Sequence, residues 1–377
     1  MRRVMVMWVL LVGWIQAVDF RLTIEGVRDE LLVDLPEDWN EGGSYPAVLF
    51  YHGTNGRPTT GMVRGHAGEK DWIVVGMGYA RRGTFQLTPA GMEAEVRVLR
   101  QVREELKKRA GLDETRVYVA GFSKGGWVTG LLLQKEKWLA GGAILGAGHM
   151  HQLEAAPKPI GKGKPVFVGV GRHDRNYPFG VRAKMYFGKL GAEVEMEAWR
   201  DLGHEFPDYG SKGLREWLRL RNGEEVEKKE LRVELEEILE LGGFEKWWGL
   251  VEFRERPFVK AAGMVAEVDG LRGDLEKEPN WAREARMLRE SHRLLGIEMG
   301  KKTIKNLEEL VAGYARIAEF GKGSPQGQWA GKDSDRVGEI LEAAQRELAE
   351  EQARRKGIEV EAEEDERRRI PRNPLVR

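Results

Sequence analysis

The segment Gly121-Phe122-Ser123-Lys124-Gly125-Gly126 is the most informative part of the sequence, and it directly follows an apolar run from Arg116 to Ala120. It has the form G-x-S-x-G, in which a strand turns sharply into a helix and presents a serine hydroxyl at the C-terminal edge of a sheet. Glycine is required on both sides of the Phe-Ser-Lys triplet because a side chain there would crowd the strained turn. The apolar stretch Trp127 to Gln134 predicts the following helix. The alternative is an ordinary glycine-rich turn.

The chain around this segment alternates short apolar runs with helical patterns from about Asp19 to Leu220. This alternation predicts one α/β domain, a doubly wound and mainly parallel eight-stranded sheet. The first two strands alternate apolar and polar residues, as antiparallel edge strands do. The predicted strands are Phe20 to Ile24, Glu30 to Asp34, Ala47 to Tyr51, Trp72 to Met77, Arg116 to Ala120, Gly142 to Leu145, Val166 to Val170 and Val194 to Trp199.

Helical spacing predicts the helices that cover the sheet. After Arg221 the sequence changes to long, highly charged helical segments. Besides Trp127 to Gln134, the helices predicted over the sheet are Gly91 to Ala110, Phe179 to Leu190 and Asp208 to Leu220. Residues 222–356 are highly charged with apolar stripes, which predicts an all-α appendage to the domain at 19–221. Its predicted helices are Glu224 to Leu241, Pro257 to Leu271, Asn280 to Leu295, Ile304 to Phe320 and Asp333 to Arg355. Residues 357–377 predict a charged, disordered tail.

The N-terminus has the layout of a secretory signal peptide. Arg2 and Arg3 precede an apolar run from Val4 to Ile15, which is too short to span a bilayer, and the composition changes abruptly at Asp19. We expect residues 1–17 to be removed after Ala17, leaving a secreted or periplasmic protein that no longer contacts the membrane. A buried N-terminal strand is the alternative.

Composition excludes several classes of function. Lys plus Arg equals Asp plus Glu at 61 each, so the charge balance favours neither nucleic acid nor an anionic membrane as a partner. The chain has no cysteine, which excludes a disulfide framework and a thiolate metal site.

A serine nucleophile needs a base for its proton and an acid to orient that base. In the doubly wound arrangement these follow in the chain order Ser, Asp, His. Asp174 comes directly after the strand ending at Val170, and His204 comes shortly after the strand ending at Trp199. Ser123, Asp174 and His204 are therefore the predicted catalytic residues. The alternative for Asp174 is a loop residue that caps the helix near Phe179.

The other histidines are weaker candidates. His149 and His151 form an H-x-H pair after the strand ending at Leu145, but no carboxylate cluster with ligand spacing accompanies them. We interpret the pair as lining the substrate or as structural. The sequence thus predicts neither a metal nor another cofactor.

Acyl transfer also needs two donors for the oxyanion. One is expected to be the backbone N–H of Lys124, directly after the serine. The second is expected in the loop Tyr51-His52-Gly53-Thr54, where the Thr54 amide has the appropriate topological position. His52 is expected to shape that loop without transferring a proton.

Taken together, Tyr51-His52-Gly53, the serine segment, Asp174 and Gly203-His204 resemble the α/β-hydrolase superfamily over about Asp19 to Leu220. Within it, the chain is most similar to secreted serine esterases of the polyhydroxybutyrate-depolymerase and feruloyl or acetyl-xylan esterase kind. The resemblance implies an acyl-enzyme on Ser123. No long apolar lid lies between the strands, which favours a short or polar acyl ester.

The expected activity is the hydrolysis of a carboxylic ester, on a small molecule or linked to a polysaccharide. Two alternatives stay open. A serine exopeptidase would use the same catalytic residues and the same oxyanion donors to cleave an amide. A non-catalytic, hydrolase-like scaffold would use the charged helical region to bind a protein partner.

Overall fold

The sheet is the centre of the first of two compact units. The computed structural model describes residues 19–80, 88–149, 160–207, 210–298 and 303–369, with side chains as far as Arg355. The predicted signal peptide and His151 lie outside these residues. The strands are β1 Phe20–Leu22, β2 Leu31–Asp34, β3 Tyr45–Tyr51, β4 Ile73–Met77, β5 Leu112–Phe122, β6 Gly141–Leu145, β7 Pro165–Gly171 and β8 Glu193–Trp199.

All eight strands form one sheet in the order β1-β2-β4-β3-β5-β6-β7-β8. The pairs β1–β2 and β2–β4 are antiparallel, and every later pair is parallel. The predicted fold class is therefore confirmed, including the antiparallel edge. Because the parallel strands share one direction, the loops after β3, β5, β7 and β8 meet at one edge of the sheet.

Helices cover both faces because successive residues of the central strands point to opposite sides. Leu49 and Val119 pack in one apolar core, whereas Phe50 and Tyr118 pack in the other. The helices that bury these faces are α1 Gly61–Ala67, α2 Pro89–Arg109, α3 Lys124–Lys135, α4 Tyr177–Lys189 and α5 Lys212–Arg221.

The first unit continues past the predicted domain boundary at Arg221 and ends at Arg272. Arg256 explains this difference, because its guanidinium pairs with Glu216 of α5 and with Glu234 of α6. The Glu216 carboxylate also accepts a hydrogen bond from the Phe258 backbone at 3.2 Å. The helices involved are α6 Lys228–Glu240, α7 Gly243–Glu255, α8 Pro257–Ala261 and α9 Val265–Leu275.

Two helix predictions in this region need correction. Pro257 to Leu271 is not continuous, because Gly263 adopts a φ of 68° and separates α8 from α9. Helix α7 was not predicted, although its Trp247 and Trp248 are buried.

The second unit, residues 273–377, is a helical assembly in its described part. It contains the end of α9 and the helices α10 Pro279–Glu298, α11 Ile304–Phe320 and α12 Pro325–Arg369. Leu294, Leu310 and Tyr314 belong to its apolar core. No helix in the described ranges is both long and apolar enough to cross a membrane.

The described part of the predicted tail, residues 357–369, is helical. Helix α12 extends to Arg369, beyond the predicted start of disorder at residue 357.

Candidate active site

Ser123 occupies a strained turn between β5 and α3. Its φ is 56° and its ψ is −118°. Among the described non-glycine residues, only Ser123 and Asn55 have a positive φ. Such a backbone conformation persists only where the surrounding structure enforces it, and it is concentrated at functional sites.

The glycines on either side of Ser123 have the steric role that the sequence predicts. A Cβ on Gly121 would lie 2.4 Å from the backbone of Gly125, and one on Gly125 would lie 2.1 Å from the Tyr51 carbonyl oxygen. Both distances are far below any real contact. The turn therefore requires glycine at both positions, and helix α3 can begin directly against the end of β3.

Ser123, His204 and Asp174 lie in one hydrogen-bonded row. Ser123 Oγ is 2.8 Å from His204 Nε2, and His204 Nδ1 is 2.7 Å from Asp174 Oδ2. A carboxylate oxygen accepts hydrogen bonds, so Nδ1 carries the ring proton and Nε2 is left to accept from the serine hydroxyl. The structure thus brings together all three residues singled out from the sequence.

Close contact between the loops after β7 and β8 aligns the histidine with the aspartate. A Cβ on Gly171 would lie 2.1 Å from the Gly203 carbonyl oxygen, so glycine is what allows the two loops to touch. The His173 N–H donates to the Leu202 carbonyl at 2.9 Å. These contacts place Asp174 and His204 side by side at the carboxyl end of the sheet.

Each carboxylate oxygen of Asp174 accepts a hydrogen bond. The side chain is buried, with 3% of the residue surface exposed. Its Oδ1 accepts from the Asn176 N–H at 2.8 Å, while the Asn176 amide donates to the Gly146 carbonyl at 2.8 Å. Asp174 therefore shapes its own loop as well as contacting His204. It does not cap α4, whose N-cap residue is Asn176.

Phe122 supports the imidazole from the side. Its ring stacks on that of His204 with centroids 5.2 Å apart, and Phe206 packs edge-on against Phe122 at 5.7 Å. The His204 side chain is 44% exposed, so its ring is buried on one side and open to solvent on the other. The stack limits rotation of the ring. No pattern in the sequence indicates this role for Phe122.

The candidate oxyanion donors lie on two sides of Ser123. Lys124 is the first residue of α3, so its backbone N–H has no acceptor within the helix. A Cβ on Gly53 would lie 3.3 Å from Ser123 Cβ, so the loop after β3 touches the serine. Thr54 follows in an exposed turn beside the strained Asn55. Thr54 and Lys124 as donors stay predictions.

A buried polar cluster supports that loop from below. The Tyr79 hydroxyl donates to the His52 carbonyl at 2.5 Å, and the His52 ring packs against that of Tyr79 at 4.8 Å. His52 Nδ1 is 2.7 Å from the Gly53 carbonyl oxygen. Burial lowers the pKa of His52, which favours a neutral ring with a structural role. Tyr79 comes two residues after β4, on the same edge of the sheet, so strand ends alone could have identified it.

Glu95 of α2 belongs to the same cluster. Burial raises its pKa to about 7, although the Ala80 N–H, which donates to Oε2 at 3.1 Å, and the Tyr51 hydroxyl act in the opposite direction. The carboxyl group lies with Tyr51 and Tyr79 in the core below the loop.

His149 packs against helix α4. It is buried and stacks on Tyr186 with centroids 4.1 Å apart. This contact fits the structural interpretation of the residue. In the described part of the chain, no three His, Asp or Glu side chains form a group that could hold a metal ion.

Comparison with known protein families finds a match over part of the chain. A family model described as phospholipase/carboxylesterase matches residues 88–221, a stretch that includes Ser123, Asp174 and His204. Among curated proteins, none matches the sequence.

Solved structures with similar chains include two carboxylesterases. The carboxylesterase of Bacillus cereus is 18% identical, with a TM-score of 0.40, and the alignment covers 51% of this chain and 93% of that one. The carboxylesterase of Mesorhizobium loti is 21% identical, with a TM-score of 0.42 and coverages of 52% and 98%. An acylaminoacyl peptidase of Pyrococcus horikoshii is 14% identical, with a TM-score of 0.39 and coverages of 54% and 40%.

The sheet order, with a strained serine between β5 and its helix, is the arrangement of α/β-hydrolases. The chain thus has the α/β-hydrolase fold, and its residues 88–221 are similar to the phospholipase/carboxylesterase family.

Proposed function

We propose that the protein is a serine hydrolase that cleaves a carboxylic ester through an acyl-enzyme on Ser123. The observation that carries this proposal is the row of two hydrogen bonds from Ser123 Oγ through His204 to Asp174. This is the geometry of an activated nucleophile with an oriented base.

In the acylation step, Ser123 Oγ attacks the ester carbonyl carbon while its proton passes to His204 Nε2. Asp174 stabilises the resulting imidazolium through Nδ1–H. When the tetrahedral intermediate collapses, the bond to the alcohol oxygen breaks and His204 returns the proton to the leaving alcohol. Water then attacks the acyl-enzyme by the same route and releases the carboxylic acid.

The intermediate carries negative charge on the former carbonyl oxygen. The Lys124 N–H at the start of α3 is one donor to it, and the second is the Thr54 N–H. Preorganised donors of this kind contribute about 3 kcal/mol each. Tyr79 acts through another residue, because it holds the His52 carbonyl and thereby fixes the loop that carries Thr54.

One observation favours an ester as substrate, and a second favours a short or polar acyl group. The family matched by residues 88–221 is described as phospholipase/carboxylesterase. No long apolar insertion that could form a lipase lid separates the strands in the sequence, which favours a short or polar acyl group. A secreted polymer esterase is the subgroup we propose, with residues 1–17 directing export. Sequencing the N-terminus of the protein recovered after expression in a bacterium tests export, and Val18 is the expected first residue.

Labelling with a fluorophosphonate, followed by intact-mass analysis, tests the proposed function. We expect one label per chain in the wild type and none in Ser123→Ala. Absence of labelling in a folded wild type would favour the scaffold alternative. A series of p-nitrophenyl esters compared with aminoacyl-anilides then separates the esterase from the exopeptidase, and we expect turnover of short acyl esters only.

A further inference from the structure

One buried carboxyl group below the loop after β3 takes no part in the reaction proposed for Ser123. Glu95 lies on α2, and only 1% of its surface is exposed. A carboxyl group in such a position costs free energy, because its charged form loses its hydration. Packing alone would favour an apolar residue here, since the other buried residues of the helix are glycine or apolar: Gly91, Met92, Val96, Val98, Leu99, Val102 and Leu106.

The Glu95 carboxyl group binds the chain just after β4. Its Oε2 accepts a hydrogen bond from the Ala80 N–H at 3.1 Å. The residue before Ala80 is Tyr79, whose hydroxyl donates to the His52 carbonyl oxygen at 2.5 Å. The same two-residue segment therefore donates one hydrogen bond to α2 and one to the loop after β3. Glu95 and His52 are connected through it.

Ring contacts hold Tyr79 between the two ends of this connection. Its ring centroid lies 5.5 Å from that of Tyr51, the last residue of β3, and 4.8 Å from that of His52. All three side chains are buried. Burial, and then the negative charge of Glu95, raises the pKa of both phenols. The carboxyl group, the two phenols and the His52 ring thus form one packed cluster below the loop.

The loop above this cluster touches the nucleophile. A Cβ on Gly53 would lie 3.3 Å from Ser123 Cβ. The next residue is Thr54, the proposed second oxyanion donor. A donor of this kind is effective only when its N–H is aimed at the oxygen before the reaction begins. A displacement of residues 52–54 would therefore slow catalysis without removing any group that reacts.

We propose that Glu95 is a positioning residue for residues 52–54, acting through the Ala80 N–H and Tyr79. The proposal rests on the function proposed for Ser123 and extends it to a helix that supplies no reacting group. The acceptor on Glu95 fixes Ala80, and with it the direction from which Tyr79 reaches the His52 carbonyl. Without that acceptor the partly buried Ala80 N–H loses its hydrogen bond, and the segment shifts toward another partner.

Two substitutions of Glu95 separate the hydrogen bond from the packing. Glu95→Gln keeps an acceptor for Ala80 and resembles the neutral acid, which is populated near neutral pH because burial raises the pKa of Glu95 to about 7. Glu95→Met keeps the length of the side chain without the acceptor. With p-nitrophenyl acetate we expect kcat within about twofold of wild type for Glu95→Gln and about three- to tenfold lower for Glu95→Met, with KM unchanged in both.

Glu93→Met is the matched control. Glu93 is an exposed residue of the same helix, and its ion pair with Lys135 at 3.4 Å is also exposed and contributes little. This variant should keep the wild-type kcat. Circular dichroism checks that each variant is folded, and Glu95→Leu replaces Glu95→Met if that variant unfolds. A residue with a purely structural role would lower the melting midpoint and leave kcat of the folded protein unchanged.

A double-mutant cycle tests the route through Tyr79. Residues that act through the same contact have non-additive effects. Adding Glu95→Met to Tyr79→Phe should therefore lower kcat by no more than about a further twofold.

The possible contrary results are distinct. An active wild type whose kcat is matched by folded Glu95→Met would overturn this proposal and leave the function of Ser123 intact. A loss in Glu95→Gln as large as in Glu95→Met would also overturn it, and so would full multiplication of the two losses in the double variant. A folded wild type that neither hydrolyses esters nor reacts with a fluorophosphonate would overturn both proposals.

Discussion

Ser123 Oγ lies 2.8 Å from His204 Nε2, although 81 residues separate the two in the chain. The sheet explains this proximity, because Ser123 follows β5 and His204 follows β8 at the same edge. The hydrogen bond gives the serine proton an acceptor and leaves the partly exposed imidazole accessible to substrate.

Replacing His204 by alanine removes the proton acceptor, so we expect kcat for an activated ester to fall by about 10⁴-fold or more. The protein should stay folded, because the side chain is partly exposed. Steady-state kinetics and circular dichroism measure both effects. His292→Ala, on α10 in the second unit, is the control and should keep wild-type rates. Equal rates in wild type and His204→Ala would mean that another group acts as base.

Asp174→Asn tests the orientation of the imidazole. The amide would favour the wrong tautomer of His204, so we expect kcat to fall by about 10⁴-fold, as in other triads. The Asn176 N–H can still donate to the remaining side-chain oxygen, so the loop should keep its conformation. Asp201→Asn removes an exposed carboxylate nearby and should have little effect. A loss below about tenfold would point to a different acid.

Tyr79→Phe tests the support of the proposed oxyanion loop. Without the hydroxyl the His52 carbonyl loses its donor, and we expect kcat to fall by about three- to tenfold, less than the loss caused by removing an oxyanion donor itself. KM should hardly change, because the loop is needed most in the transition state. Tyr118→Phe, on the opposite face of the sheet, is the matched control. A change in KM alone would contradict the positioning role.

Glu195 of β8 should make stability fall as pH rises. Only 4% of its surface is exposed, and burial raises its pKa to about 7, although Lys260 and Arg221 oppose the shift and Glu193 and Glu216 add to it. The folded state therefore holds a proton that the unfolded state releases above pH 4.5. Stability from this group is complete below that pH and is lost as pH rises through about 7.

Glu195→Gln should remove this dependence and stabilise the protein at pH 8 by up to about 3 kcal/mol relative to wild type. Melting midpoints measured from pH 4 to pH 8 test it. Glu237→Gln, an exposed carboxylate of α6 that does not act on Glu195, should leave the wild-type pH profile unchanged. Parallel profiles for wild type and Glu195→Gln would contradict the assignment.

Strand positions could be predicted because each buried strand is a short apolar run between turn residues. The exact ends of a strand depend on its pairing with neighbouring strands, which cannot be read from the sequence. Strand β5 begins at Leu112, before the predicted Arg116, because Leu112 pairs with Tyr45 of β3. Helix α1 contains Gly61 and Gly65, which weaken helical spacing, and it was not predicted.

Ser123, Asp174 and His204 could be predicted because each follows a strand at the edge of the sheet where active sites form. The contacts that hold them could not, since they depend on side-chain packing across loops far apart in sequence. The stack of Phe122 on His204 is one example. The link from Asn176 to the Gly146 carbonyl is another.

The division of the chain into compact units at Arg272 could not be predicted for a related reason. The highly charged composition after Arg221 is typical of a separate appendage. However, Arg256 forms an ion pair with Glu216 of α5, which holds α8 in the first unit. A buried ion pair 40 residues apart in the chain leaves no local pattern.

The acyl-enzyme itself is the most direct test of the account. Wild-type protein mixed with p-nitrophenyl acetate, quenched within milliseconds and digested, should show one acetyl group on the peptide that carries Ser123. A burst of p-nitrophenol equal to the protein concentration should accompany it. An acetyl group on another residue, or hydrolysis that continues in Ser123→Ala, would contradict the role of Ser123 as the nucleophile.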